Sequence, residues 1–310
     1  MKIIVTGGAG FIGSTVVDML IEKNHEVVII DNLCSGQKEN INPKAKFLET
    51  DITDFAKIEE IFQMEKPETV YHFAAQIDVR KSVSDPLFDA QTNILAGLNL
   101  INLSQKYDVQ KFIFSSTGGA IYGDTDQRPT IEDHSEWPLS PYGIAKLTTD
   151  KYLNYYNQIH GLKFVSLRYG NVYGTRQNPH GEAGVVAIFL NKMLNNDQPT
   201  INGDGEQTRD YVYVADVARA NLAALENFEK VGVYNVGTGI ETSVNQLFRE
   251  INKNFANKFE ELHGPAKMGE QKTSCLDASK IKNDLGWEPK VDFAEGIQKT
   301  FEWFKNRNSA

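Results

Sequence analysis

A short apolar run, Lys2-Ile3-Ile4-Val5-Thr6, passes straight into Gly7-Gly8-Ala9-Gly10-Phe11-Ile12-Gly13, and few sequence features restrict a fold as tightly. The run reads as a buried parallel strand, and the residues after Gly10 as the start of a helix. Glycines at 7, 10 and 13 suit a turn whose backbone approaches a pyrophosphate. The first permits the tight turn, the second the close approach, and the third the packing of helix on strand. The amides of Phe11, Ile12 and Gly13 then face an anion at the positive end of the helix dipole. Asp31 closes the next apolar run, where its carboxylate can accept hydrogen bonds from an adenosine ribose. Asn32 follows it instead of a cation, so the pair favours NAD over its phosphorylated form. Asp51 and Ile52, just past the third run, border the adenine in this reading; a helix-capping carboxylate is the alternative for Asp51.

The alternation continues. Apolar runs at 26–30, 46–49, 69–72, 111–115 and 163–168 are separated by amphipathic stretches, the pattern of βαβ units in one parallel sheet with right-handed crossovers. Leu87, Ile94, Leu98 and Ile101 recur at helical spacing across 86–106, behind an Asp85-Pro86 start. Beyond residue 168, loops bearing Gly and Pro break the rhythm, and only 211–225 and 233–236 read as elements able to return to the sheet. The expected architecture is α/β: a doubly wound parallel sheet from 1–168 with 211–237 returning to it, and a smaller, discontinuous C-terminal portion, 169–210 and 238–310, that binds the substrate.

Charge and composition exclude several classes. A net charge of -9 opposes binding to nucleic acid, whose affinity comes from neutralising many phosphates. Cys34 and Cys275 sit in no pair motif, and the six histidines show no metal-ligand spacing with them, so neither a disulfide framework nor a metal site is expected. No stretch approaches the ~20 apolar residues of a membrane span, and the first residues lack the succession of a signal peptide. A cytoplasmic protein with no membrane partner is expected.

Tyr142 and Lys146 stand four apart in a stretch that reads as a helix behind Ser140-Pro141, so both side chains share one face. An ammonium at ~4 Å from a phenol contributes about 4 kcal/mol at an effective dielectric near 20, enough to lower the phenol by up to about 3 pKa units toward the neutral range that suits acid-base work. A solvated helix face is the bland alternative. Ser115-Ser116-Thr117 ends a strand where ligands bind in such sheets, so Ser116 or Thr117 can hydrogen-bond a reacting oxygen and relay a proton to Tyr142; a Ser/Thr-rich turn is the alternative. His72 reads as a packing or hydrogen-bonding residue.

Together these residues resemble the extended short-chain dehydrogenase/reductase superfamily, with its Rossmann fold, and within it the UDP-glucose 4-epimerase branch of the NAD-dependent epimerases and dehydratases. The likeness runs through Thr6 to Gly13, Asp31-Asn32-Leu33, His72-Phe73-Ala74-Ala75-Gln76, Ser115-Ser116-Thr117, Tyr142 to Lys146, Leu167-Arg168-Tyr169-Gly170-Asn171-Val172-Tyr173-Gly174, Arg209-Asp210-Tyr211-Val212 and Leu285-Gly286-Trp287. It implies that Thr117, Tyr142 and Lys146 are catalytic and that Tyr142, Lys146, Ala74 and Ala75 also contact NAD. It further implies that Asn171 contacts a UDP-sugar and that Arg209 binds its pyrophosphate, a task suited to a planar guanidinium. Lys267 stands where the family has a second pyrophosphate arginine, and Ser274 where it has a side chain gating the sugar pocket. A small gate implies acceptance of N-acetylated UDP-sugars beside UDP-hexoses. The resemblance also implies a homodimer through the Tyr142 helix and the 86–106 helix.

The expected reaction is epimerisation at C4 through a transient 4-keto sugar. Dehydratases resemble this chain but carry an acid pair where Gly118-Gly119 stands, and decarboxylases usually have an acid near this turn. UDP-glucuronate 4-epimerase, which needs only a cation near the sugar carboxylate, remains a rival. So does a non-enzymatic NAD-binding regulator on the same fold, a class that typically lacks the Tyr or the Lys.

Overall fold

The computed structural model describes residues 1–179, 184–266 and 271–308. The first half follows the expected alternation: β1 (Lys2–Thr6), α1 (Phe11–Glu22), β2 (Glu26–Asp31), β3 (Lys46–Glu49), α2 (Phe55–Glu65) and β4 (Thr69–His72). After these come α3 (Val79–Ser84), α4 (Pro86–Ala90), a π-helical turn at Gln91–Leu95, and α5 (Ala96–Lys106). Then follow β5 (Lys111–Thr117), the short α6 (Gly118–Ile121), α7 (Pro141–His160) and β6 (Lys163–Tyr169). Asp85 caps α4 by accepting from the Phe88 amide at 3.1 Å, with Pro86 at the first helical position, as the dipeptide signal requires. Ser140 likewise accepts from Gly143 N at 3.2 Å and starts the helix that carries Tyr142.

The second half contains β7 (Asn171–Tyr173), α8 (Val185–Leu194), β8 (Ile201–Asn202), β9 (Thr208–Tyr213) and α9 (Val214–Glu226). It closes with β10 (Gly232–Val236), β11 (Glu241–Ser243), α10 (Val244–Lys253), β12 (His263–Gly264), α11 (Ser279–Leu285) and α12 (Phe293–Asn308). The stretch from Tyr211 is therefore divided: it finishes a strand before turning helical at Val214.

Seven parallel strands form the main sheet in the order β10-β6-β5-β4-β1-β2-β3. Chain order reverses between β1 and β4, and in such sheets the crevice beyond the strand ends at this switch point receives the ligand. One face buries Ile3, Val5, Ile113, Val165 and Leu167 beneath α1 and α9, while the other buries Ile4, Val28, Phe112, Phe114 and Phe164 beneath α2, α5 and α7. This two-sided burial explains why the strands read as continuous apolar runs. A third apolar cluster, including Tyr173, Phe189, Tyr211, Phe248 and Phe304, holds α8, α10 and α12 over the small sheet β11-β9-β7. Among the described residues no helix is long and apolar enough to cross a membrane.

Candidate active site

The glycine turn lies at the switch point. Gly7 adopts φ +72°, and a Cβ placed there would stand 2.6 Å from the Ala74 amide nitrogen, so only glycine lets the β1 and β4 loops meet. A Cβ on Gly13 would overlap the Gly7 carbonyl oxygen. Gly7 N donates to Ile30 O at 2.8 Å, which pins the turn to β2. The helix that follows opens at Gly10 with no side-chain cap and no acid in its first turn, leaving its positive end to an external anion. Phe11 and Ile12 pack partly buried against the core below. This cradle fits a dinucleotide pyrophosphate.

Asp31, at the end of β2, is buried and accepts from Ala9 N at 3.0 Å and Leu33 N at 2.9 Å. It therefore holds the glycine loop in place. Asn32 is exposed and donates to Asp51 at 2.7 Å; Asp51 also accepts from the Thr53 amide and hydroxyl. Burial presses the Asp51 carboxyl upward, but these hydrogen bonds prevail and its pKa lies below the usual value. Asp54, not Asp51, caps α2. The Ile52 side chain lies in the core below the sheet. Ala74 N reaches the Thr6 hydroxyl at 3.3 Å, and that hydroxyl pairs with His72 Nδ1 at 2.8 Å. Burial, then the charge of Lys146, drives His72 down to about 3, so the imidazole is neutral.

Tyr142 and Lys146 share one face of α7. The Lys146 ammonium is buried, donates to Ser115 O at 2.8 Å, and lies 4.8 Å from the Phe114 ring centroid and 5.8 Å from that of Tyr142. Burial lowers Lys146 to about 8, against the pull of Asp150 and Asp89, so it remains mostly charged at neutrality. The expected lowering of Tyr142 does not hold in the ligand-free chain. Burial, and next the charge of Asp89, raise the phenol above its ordinary value. The physical reason is desolvation: a phenolate in this cleft loses more hydration than the ammonium, already engaged by a carbonyl, returns.

The hydroxyls at the end of β5 part company. Strand alternation turns Ser116 into the interior, where it is buried and donates to Asp150 Oδ2 at 3.3 Å. Thr117, Asn171 and Ser274 instead converge: a Cβ on Gly119 would lie 3.9 Å from Thr117 Oγ1, 3.7 Å from Asn171 Oδ1 and 3.9 Å from Ser274 Oγ. Ser274, rather than the adjacent Cys275, thus presents its side chain to this space. Gly118 has no such room, since a Cβ there would stand 2.7 Å from Leu276 Cδ2. Gly143 abuts α6 closely enough that a Cβ on it would be 2.6 Å from Ala120 O, which seats the start of the Tyr142 helix beside the same turn.

Arg209, on β9, donates to Thr208 O at 2.7 Å and to Gln271 O at 2.8 Å, a geometry that ties β9 to the 271–272 segment. Lys267 lies outside the described residues. Among the described residues no group of three or more His, Cys, Asp or Glu is arranged to hold a metal.

Sequence reasoning missed the cluster beneath the site. Arg168 is buried and donates to Asp150 through Nε at 3.0 Å, to Tyr122 through Nη1 at 3.0 Å and to Glu136 through Nη2 at 2.5 Å. Ser166 adds a 2.5 Å bond to Asp150. A signal existed, because Asp150 follows Lys146 at helical spacing and Arg168 belongs to a quoted motif.

A dinucleotide cradle at the switch point, with a helix-borne Tyr-Lys pair beyond the next strand end, defines a short-chain dehydrogenase/reductase. Residues 3–237 match the NAD dependent epimerase/dehydratase family, and the chain belongs to it. It is 48% identical over 306 residues to a putative UDP-glucose 4-epimerase of Methanocaldococcus jannaschii, covering 99% of each chain. A solved UDP-glucose 4-epimerase of Thermotoga maritima with UDP-glucose is 51% identical, with TM-score 0.97 over 99% of this chain and 100% of that one. A Thermus thermophilus UDP-glucose 4-epimerase in complex with NAD is 43% identical, with TM-score 0.92 over 98% and 99%.

Proposed function

We propose that this chain uses NAD to epimerise a UDP-hexose at C4, interconverting the glucose and galactose forms. The observation that carries the reading is the convergence of Thr117, Asn171 and Ser274 around Gly119, next to the helix bearing Tyr142 and Lys146. The relatives' names supply the substrate class. Bound in the glycine cradle, with Asp31 at its ribose and Ala74 and Ala75 at its inner half, NAD supplies a reversible hydride acceptor for C4, giving a transient 4-keto sugar. Tyr142 removes the proton of the 4-hydroxyl and later returns it. Thr117 bridges that oxygen and Tyr142, and Lys146 keeps a positive charge beside them. Arg209 and Lys267 hold the pyrophosphate while the sugar turns over, so that its opposite face meets the same groups. Asn171 and Ser274 line the sugar.

Gly118 and Gly119 support epimerisation over dehydration, because neither carries the acid that dehydration needs. Residues 1–168 and 211–237 form the NAD-binding part in this reading, and 169–210 with 238–310 the sugar-binding part. Ser274 leaves room for an N-acetyl group. Val83, Leu87, Leu95, Ile144, Tyr155 and Ile159 are exposed apolar residues on α3 to α5 and α7, which fits burial between two copies of the chain in a cytoplasmic homodimer. Light scattering tests the dimer; a monomer at assay concentration rejects it. Incubation with a panel of UDP-sugars, including UDP-glucuronate, with products read by NMR, tests the reaction. Tyr142→Phe is expected to retain NAD and lose turnover; wild-type turnover in that variant refutes the assignment.

A further inference from the structure

The π-helical turn at Gln91–Leu95 changes the register between α4 and α5, and such turns are frequent at functional sites. Two polar side chains face the interior here, Asp89 near the end of α4 at 1% exposure and Asn93 within the turn at 4%. Asp89 Oδ1 accepts from Gln76 Nε2 and from Asn93 Nδ2, each at 2.9 Å. Asn93 also accepts from Gln76 N and donates to Gln76 O, both at 2.9 Å. On its other side, the Asn93 carbonyl lies 3.3 Å from the Thr149 hydroxyl of α7, which shares its hydrogen with Ala145 O at 3.1 Å. Gln76 ends the loop that carries Ala74 and Ala75, and Thr149 lies three residues past Lys146. A buried carboxylate therefore sits where the cofactor-side loop meets the helix of the Tyr-Lys pair.

We propose that Asp89 is a positioning residue for the Tyr142–Lys146 pair, tying the loop after β4 to the turn that packs on α7 and placing a buried carboxyl group near the cleft of both side chains. The proposal rests on the reading of Tyr142 as the proton-transferring group. The electrostatics agree with it: after burial, Asp89 is what raises Tyr142, and with Asp150 it opposes the burial that lowers Lys146. Other charged or titratable groups around the pair are already committed. Asp150 is compensated by Arg168 of β6, Tyr122 just after α6 accepts from that same guanidinium, and His72 of β4 is neutral. Arg80 and Lys81 of α3 are exposed. A carboxylate kept out of water costs desolvation, and its hydrogen bonds to two neutral amides offset only part of that. Its charge favours the protonated phenol, so it strengthens the Tyr142 phenolate as a base and raises the pH at which that phenolate forms; the positive nicotinamide of bound NAD would act in the opposite direction.

Asp89→Asn is the decisive variant, because an amide oxygen can still accept from Gln76 and Asn93 while the charge is gone. In the NAD-loaded enzyme the acid limb of kcat/KM is expected to move to lower pH by about one unit, the scale of one charge at roughly 10 Å and an effective dielectric near 20. The tyrosinate absorbance lost in Tyr142→Phe should titrate with the same shift, without any turnover. Gln76→Leu, which keeps the charge and breaks the lock, should lower kcat and leave the limb in place. An unmoved limb and an unmoved tyrosinate titration in Asp89→Asn overturn the charge role, and an unchanged kcat in Gln76→Leu overturns the lock. If the titration shifts but wild-type protein turns over no UDP-sugar, the Asp89 assignment stands and the epimerase reading falls.

Discussion

Replacing Arg168 by methionine removes the cation from a buried cluster and leaves a carboxylate behind. Arg168 is 1% exposed and Asp150 2%, so water cannot take the place of the guanidinium. Asp150 would lose contacts at 3.0 and 2.9 Å, keeping only the hydroxyls of Ser116 and Ser166. Breaking a buried pair from one side typically destabilises by about 3–5 kcal/mol, and the two surviving hydroxyls place this case near the lower end, about 3 kcal/mol. That is a large share of a global stability on the order of 5–15 kcal/mol. The loss should depend on pH. Burial already raises the Asp150 carboxyl, with Arg168 the leading influence holding it down. Without Arg168 the folded variant binds a proton that the unfolded chain has released, so its stability falls as pH rises through that range. Urea unfolding of the ligand-free protein, with m compared between variants, should show a deficit that narrows at mildly acidic pH and widens at alkaline pH. Adding Asp150→Asn to Arg168→Met should recover much of it, because the stranded charge is gone. A deficit under about 1 kcal/mol, in the range of exposed ion pairs, or one independent of pH, refutes the reasoning.

Three further outcomes follow from the same structure. Burial lowers Lys111 and Lys146 to about 8, whereas in the unfolded chain they stay protonated to ~10.4. Between those values the unfolded state binds more protons, so both contribute stability that rises with pH; Lys111→Met should flatten that rise in a urea series, and an unaltered slope contradicts it. Gly13→Ala drives a methyl into the Gly7 carbonyl and should weaken NAD binding at least tenfold by fluorescence titration, a loss of ~1.4 kcal/mol or more; retention of wild-type affinity counts against the cradle. Ser274→Tyr should fill the space around Gly119 and abolish turnover of UDP-N-acetylhexosamines while sparing UDP-hexoses; unchanged selectivity removes Ser274 from the sugar pocket.

The parallel sheet, its glycine turn, Asp31 and the Tyr142–Lys146 spacing were legible from residue order, because strand burial, tight turns and helical periodicity are local properties recorded in the sequence as patterns. The π-turn was not legible, since Leu87, Ile94, Leu98 and Ile101 continue a helical rhythm through it. Nor does residue order by itself show that Ser116 faces Asp150 while Thr117 and Ser274 face Gly119. Those placements depend on which face of a strand meets Asp150 or Gly119, and the partners come from elements tens to hundreds of residues away. The charge balance at Tyr142 belongs to the same class. Spacing brought an ammonium toward the phenol, but only the packed chain added the desolvation and the Asp89 carboxylate that reverse the expected shift. Short-range chemistry therefore set the scaffold and the spacing of the Tyr142–Lys146 pair, while burial and long-range contacts decided the charge balance around it.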